Sequence, residues 1–120
     1  MLKLVSVAVG VTSILGFFTG FASAHSFYGS YMRVSYYSTG HRTASGEHFN
    51  PNGYTAASRT LPFGTRLRLT NPRTGHSVIV RVNDRGPFVR GRSLDVARGA
   101  ARALGMIGQG TASLEVARLN

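Results

Sequence analysis

Polar and apolar residues alternate strictly over Thr65 to Thr70 (TRLRLT), with Leu67 and Leu69 on one face and Arg66 and Arg68 on the other. A period of two predicts a half-buried strand. Ser77 to Val82 (SVIVRV) is the most β-prone stretch of the chain, and the Asn71-Pro-Arg-Thr-Gly75 loop before it predicts a hairpin with the preceding strand. Upstream, Arg33-Val-Ser-Tyr-Tyr37 reads as a first strand, and Tyr54 to Ala57 as a second after the Asn50-Pro-Asn-Gly53 turn cluster. Asp84-Arg-Gly-Pro87 breaks the hairpin's second strand, and Ser93 to Val96 resumes extended structure. Ala97 to Leu104 (ARGAARAL) is alanine-rich and stopped by Gly105, which predicts a short helix. In the last segment, Thr111 to Leu119, Ala112, Leu114 and Val116 alternate with polar residues. Six short strands and one or two short helices predict a mainly β fold, closed into a small barrel.

The N-terminus follows a different pattern. A short positive start with Lys3 precedes about fifteen nearly all-apolar residues, Leu4 to Phe18, and then Ala22-Ser23-Ala24. That is the three-part pattern of a cleaved secretory signal over 1–24, and the apolar run is short of the ~20 residues that span a bilayer. Residues 25–32 read as a flexible lead-in and 33–120 as one folded domain. Export to the periplasm or the medium is expected. With no cysteine in the chain, neither a lipoprotein anchor nor a disulfide framework is expected. After cleavage no stable membrane anchor and a monomer are expected.

Charge narrows the class of partner. Lys and Arg number 14 against four acids, a formal net charge of +10. Lys3 is the only lysine, so every basic residue of the exported domain is arginine. Such a balance calls for an anionic partner. Export removes nucleic acid from the expected partners and leaves polymers of the cell wall.

Glu47, Asp84, Asp95 and Glu115 are the only carboxylates. Glu115 reads as a surface charge in the last strand. Asp84 stands where the backbone leaves its strand, and Asp95 lies in a short strand at the entrance to the helix. Glu47 belongs to the glycine-containing loop Thr43-Ala-Ser-Gly-Glu47, which can fold over the same region. Two structural readings compete with a chemical one: an Asx turn at Asp84 and a helix N-cap at Asp95. His41 and His48 flank Glu47, but their spacing matches no zinc signature, so no metal and no other cofactor is expected. Ser45 and Ser58 lack the G-x-S-x-G setting of an activated serine.

Four segments, Thr43-Ala-Ser-Gly-Glu47, Leu61-Pro-Phe-Gly-Thr65, Val80-Arg-Val-Asn-Asp-Arg-Gly-Pro-Phe88 and Gly91-Arg-Ser-Leu-Asp95, occur in the order and spacing of the rare lipoprotein A (RlpA) family. From about Val34 to Asn120 the chain resembles that family. The resemblance implies a double-psi β-barrel and lytic transglycosylase action on the glycan strands of peptidoglycan. Such enzymes cut the β-1,4 bond from N-acetylmuramic acid to N-acetylglucosamine, and the C6 hydroxyl closes a 1,6-anhydro ring. The implied catalytic carboxylates are Asp95, as general acid and then base, with Asp84 beside it and Glu47 third. Implied substrate contacts are a stacking platform at Tyr36 and Tyr37, with Ser58 and Arg85 nearby; barrel packing is the other reading of the tyrosines.

Ser58 stands in Thr55-Ala-Ala-Ser-Arg-Thr60 where the family often has histidine. A serine hydroxyl donates a hydrogen bond but is no useful proton acceptor at neutral pH. A second function therefore stays open: an expansin-like barrel that binds or loosens the wall without cutting it.

Overall fold

The computed structural model describes residues 30–120. The predicted export signal and residues 25–29 of the lead-in lie outside the described residues. Among the described residues six strands are present: β1 Ser30–Tyr37, β2 Thr55–Ala57, β3 Arg66–Thr70, β4 Ser77–Asp84, β5 Leu94–Ala97 and β6 Thr111–Arg118. They close into one barrel in the order β1-β5-β2-β4-β3-β6, with β6 pairing back onto β1. A helix, α1 (Arg98–Ala103), follows β5 directly.

Alternation builds the interior. Leu67 and Leu69 of β3, Val78, Val80 and Val82 of β4, and Ala112, Leu114 and Val116 of β6 are buried, while Arg66, Arg68, Ile79 and Arg81 between them are exposed. β3 and β4 form the predicted antiparallel hairpin, with Leu67 opposite Val80 and Leu69 opposite Val78. The chain then departs from a simple meander: β1 runs parallel to β5 and β2 parallel to β4. Parallel neighbours require long crossovers rather than tight turns, so these pairings join distant segments. β1 begins at Ser30, before the expected start at Arg33. Ser30 to Met32 pair with β6, so that part of the expected flexible lead-in is strand.

Helix α1 is short and lacks a side-chain N-cap; Ala97 holds the capping position. Its stability comes from packing. Gly99, Ala100 and Ala101 are all buried, and Leu104 and Met106 after it join the core. The carbonyl of Leu104 accepts from Asn71 Nδ2 (2.8 Å) and Thr74 Oγ1 (3.1 Å), so the β3–β4 loop satisfies a group the helix end leaves unpaired.

Gly99 is required by proximity. Its N–H donates to the Pro51 carbonyl (2.8 Å), and a Cβ there would lie 2.3 Å from the Asn52 carbonyl oxygen. Helix propensity alone favours Gly99→Ala by about 0.8–1.0 kcal/mol. Overpacking against backbone costs about 1–3 kcal/mol or more, and no side chain can swing away to relieve it. Gly99→Ala is therefore expected to lower Tm by several degrees in a thermal melt. A Tm at or above that of the parent chain would contradict the packing described.

Candidate functional site

The barrel brings Asp84 and Asp95 to neighbouring strands on either side of β2. Ala57 is in register with both: with Asp95 of β5 and with Asp84 at the end of β4. Ser35 of β1 is in register with Asp95 from the other side. Four strands thus place two carboxylates, a serine and a small alanine in one row.

Asp95 is half-buried, and its Oδ1 accepts from the Ser35 hydroxyl at 3.0 Å. Burial pushes its carboxyl above the usual carboxylate range; the Ser35 hydrogen bond and the Arg92 charge oppose this, and the Asp84 charge adds to it. Desolvation favours the neutral acid, the form able to give a proton. The helix-cap reading of Asp95 is not realised, because α1 has no side-chain cap.

Asp84 is held by three donors. The N–H groups of Ala44 (2.8 Å) and Arg85 (2.9 Å) donate to Oδ1, and the Tyr37 hydroxyl donates to Oδ2 (3.1 Å). The backbone reading of Asp84 is therefore realised alongside its place next to Asp95. Tyr37 stacks on Phe49, with ring centroids 4.6 Å apart and planes 11° apart. Burial, followed by the Asp84 charge and hydrogen bond and then the Asp95 charge, pushes the Tyr37 hydroxyl far above the ordinary tyrosine range. It remains a proton-bearing donor at any working pH.

Glu47 is committed elsewhere. Its carboxylate takes a two-pronged hydrogen bond from Arg81 (2.5 and 2.9 Å) and one from Asn83 Nδ2 (3.3 Å). These contacts lower its carboxyl to about 2, Arg81 contributing most and Asn83 next. Arg81 lies on the exposed face of β4 between the buried Val80 and Val82, and Asn83 is the residue skipped where the register shifts between the Ala56–Val82 and Ala57–Asp84 pairs. Backbone bonds complete the seat: Thr43 N–H to the Glu47 carbonyl (2.8 Å) and Ser45 N–H to the Asn83 carbonyl (3.1 Å). Glu47 thus anchors the loop whose Ala44 N–H holds Asp84. A carboxyl held low by its partners stabilises the fold above its ordinary value near 4.5, and that contribution disappears as pH falls through about 2. Acid denaturation of the parent chain and Glu47→Gln is expected to differ above pH 4.5 and to converge near pH 2. Curves that stay parallel down to pH 2 would contradict this pairing.

The remaining expected contacts divide. Tyr37 faces the acids, whereas Tyr36, its neighbour on the opposite face of β1, packs against the core and donates to the Ile107 carbonyl (3.1 Å). Ser58 is buried, and its Oγ accepts from the N–H groups of Thr60 (3.3 Å) and Leu61 (3.0 Å), closing a turn. The Arg85 guanidinium lies over the Phe63 ring (4.0 Å) and donates to the carbonyls of Ser58 (3.0 Å) and Leu61 (2.8 Å). Through Nη1 it fastens the Ser58–Phe63 loop. Ser35, Phe49, Arg81 and Arg92 were missed in the sequence. Only Ser35 had a readable signal, since alternation in Arg33-Val-Ser-Tyr-Tyr37 puts it on the face of Tyr37.

A carboxyl raised by burial beside an anchored carboxylate is an arrangement suited to general acid–base chemistry. A family model described as lytic transglycolase matches residues 30–116. A probable endolytic peptidoglycan transglycosylase RlpA of Nostoc sp. is 62% identical over 77 residues, covering 64% of this chain and 21% of the relative. Its counterpart from Treponema pallidum is 52% identical over 89 residues, covering 74% of this chain and 27% of the relative. The chain spans roughly a quarter of the length of these curated relatives. Among solved structures, the Streptomyces papain inhibitor aligns with TM-score 0.63 at 16% identity, covering 77% of this chain and 94% of that one. A mutant Clavibacter michiganensis expansin in complex with cellohexaose aligns with TM-score 0.62 at 21% identity, covering 77% and 50%. At such identities the two show the fold alone, a double-psi barrel. The chain belongs to the lytic transglycolase family, its curated relatives are RlpA proteins, and the kinship read from its four motifs is thereby established.

Proposed function

We propose that this barrel is an endolytic peptidoglycan transglycosylase that cuts the β-1,4 bond from N-acetylmuramic acid to N-acetylglucosamine and leaves 1,6-anhydro ends. One observation carries the reading: Asp95 is half-buried, its carboxyl is pushed above the usual carboxylate range by that burial, and it is oriented by Ser35 next to a second carboxylate. The family and the names of the curated relatives support it.

Asp95 begins protonated and gives its proton to the glycosidic oxygen as the bond to C1 of the muramic sugar breaks. Positive charge develops on the ring, as in other glycosidic cleavages. The Asp84 carboxylate, fixed by Tyr37, Ala44 and Arg85, supplies negative charge beside it. Asp95, now ionised, takes the proton of the C6 hydroxyl while O6 bonds to C1. The ring closes, the proton count is restored, and no water is consumed. Ser58 takes no part in proton transfer, so its replacement of a histidine leaves this route intact. The substrate lies outside the cytoplasm, in keeping with the export signal read over 1–24.

Incubation with purified peptidoglycan and mass analysis of the soluble products tests the proposal. Anhydro-muramyl ends are expected. Binding without release of fragments would instead make the barrel an expansin-like wall-binding module.

A further inference from the structure

A groove opens on the outer surface where β1 meets β6 and the β3–β4 loop. Its volume is about 440 Å³, and Tyr31, Arg33, Arg73, Gln109 and Ser113 are among the residues that line it. We infer that this groove binds a carboxylate carried by the same glycan strand that is cut at Asp95, and so sets the register of that strand. The inference rests on the peptidoglycan reading above and adds a place and a chemistry to it.

Three observations carry it. First, among the described residues neither the Arg33 nor the Arg73 guanidinium makes a hydrogen bond or ion pair. The ion pair those residues do contain joins Arg81 to Glu47. Glu115, the acid nearest by register through its pairing with Tyr31 and Thr70, is bridged to neither arginine. Two planar guanidinium groups in one concave site, with an amide and a hydroxyl at hand, are matched to a carboxylate. Second, the groove contains an aromatic platform, because Tyr31 is 65% exposed. A large aromatic held open beside polar donors is suited to an amphipathic ligand such as a sugar ring. Third, the groove shares a face of β1 with the residue that holds Asp95. Tyr31, Arg33, Ser35 and Tyr37 alternate with the core-facing Met32, Val34 and Tyr36, so they share one face of β1. Arg33 lies two residues from Ser35, roughly 7 Å along the strand, and Ser35 holds Asp95.

A glycan strand crossing Asp95 along β1 therefore runs onto two unpaired guanidiniums. It can offer carboxylates from two sources: the lactyl group of a peptide-free muramic acid, or the end of a peptide stem. Neutral strands lack both.

The test measures strand affinity of the full chain and of the double variant Arg33→Gln/Arg73→Gln. Three probes are used: peptide-free strands, the same strands with carboxyls converted to amides, and peptide-bearing strands. At least tenfold weaker binding of one carboxylated probe by the double variant is expected, together with little change for the amidated strands. Loss confined to peptide-free strands assigns the lactyl carboxylate, and loss confined to peptide-bearing strands assigns the stem. Arg33→Lys/Arg73→Lys, which keeps the charge, is expected to recover part of the affinity and guards against a folding defect. Equal affinity of parent and double variant for every probe, or equal weakening for amidated and carboxylated strands, would overturn the inference while leaving the peptidoglycan reading in place. Failure of the parent chain to bind any probe would overturn the peptidoglycan reading, and this inference with it.

Discussion

Asp95→Asn is expected to lower the rate of fragment release from peptidoglycan by roughly 10²–10⁴-fold, the range general acid–base catalysis supplies. Strand affinity is expected to stay unchanged, because the amide keeps the shape of the side chain and can still accept from Ser35. Stability should move the other way. The Asp95 carboxyl is raised in the folded chain, mainly by burial. The folded state thus holds a proton more firmly than the unfolded state, and stability declines as pH rises through that interval. Neutralising the residue removes the penalty, so Asp95→Asn should melt at or above the parent temperature at neutral pH. Lost activity with retained or improved stability marks a group held against its own solvation preference for the sake of chemistry. A thermal melt and a release assay on the same preparation check both halves. An active Asp95→Asn, or one that is inactive only because it unfolds, would remove the assignment.

Asp84→Ala is expected to fail in a different way. Its carboxylate ties together the end of β4, the 43–47 loop through Ala44 and the aromatic pair through Tyr37. Hydrogen bonds to a charged group are worth about 1.5–3 kcal/mol each. Partial solvation of this half-exposed site reduces the sum to about 2–4 kcal/mol. A fall in Tm of roughly 10–20 °C is expected, together with loss of fragment release. Because the Tyr37 phenol would lose its acceptor, the Tyr37–Phe49 stack should loosen, visible as a change in near-ultraviolet circular dichroism. An Asp84→Ala chain with parent-like melting would mean that the three donors find water just as favourable. The two aspartates are thus expected to show opposite signatures: loss of activity with stability kept for Asp95→Asn, and loss of both for Asp84→Ala.

Local structure was legible in the sequence wherever one physical pattern dominated. TRLRLT became β3 with its leucines buried and arginines exposed, because alternation across a half-buried sheet leaves no second solution. The alanine-rich run became α1, bounded by Gly105 at φ +72°. Strand order was not legible from periodicity. The parallel pairings β1·β5 and β2·β4 depend on distant segments meeting, which a pattern of period two cannot encode; the resemblance to a known barrel supplied it. The site shows the same division. Scarcity pointed to Asp84 and Asp95, since a cationic chain with four acids has few carboxylates to choose from. It also pointed to Glu47, whose bidentate partner Arg81 lies on another element, so the pairing had no local trace. For Arg85 and Ser58 the resemblance implies contacts to substrate. In the structure their polar groups close the 58–63 loop, a demand of backbone carbonyls and N–H groups that side-chain identity does not reveal.

The central claim is that this barrel cuts glycan strands without water, with Asp95 carrying the proton both ways. Digestion of purified peptidoglycan in ¹⁸O-labelled water tests it most directly, with the masses of the newly formed muramic ends as readout. The account predicts ends that are one water lighter than hydrolysis products and carry no ¹⁸O, released by the parent chain and not by Asp95→Asn. Ends bearing one ¹⁸O each, or unlabelled ends released equally by Asp95→Asn, would contradict it.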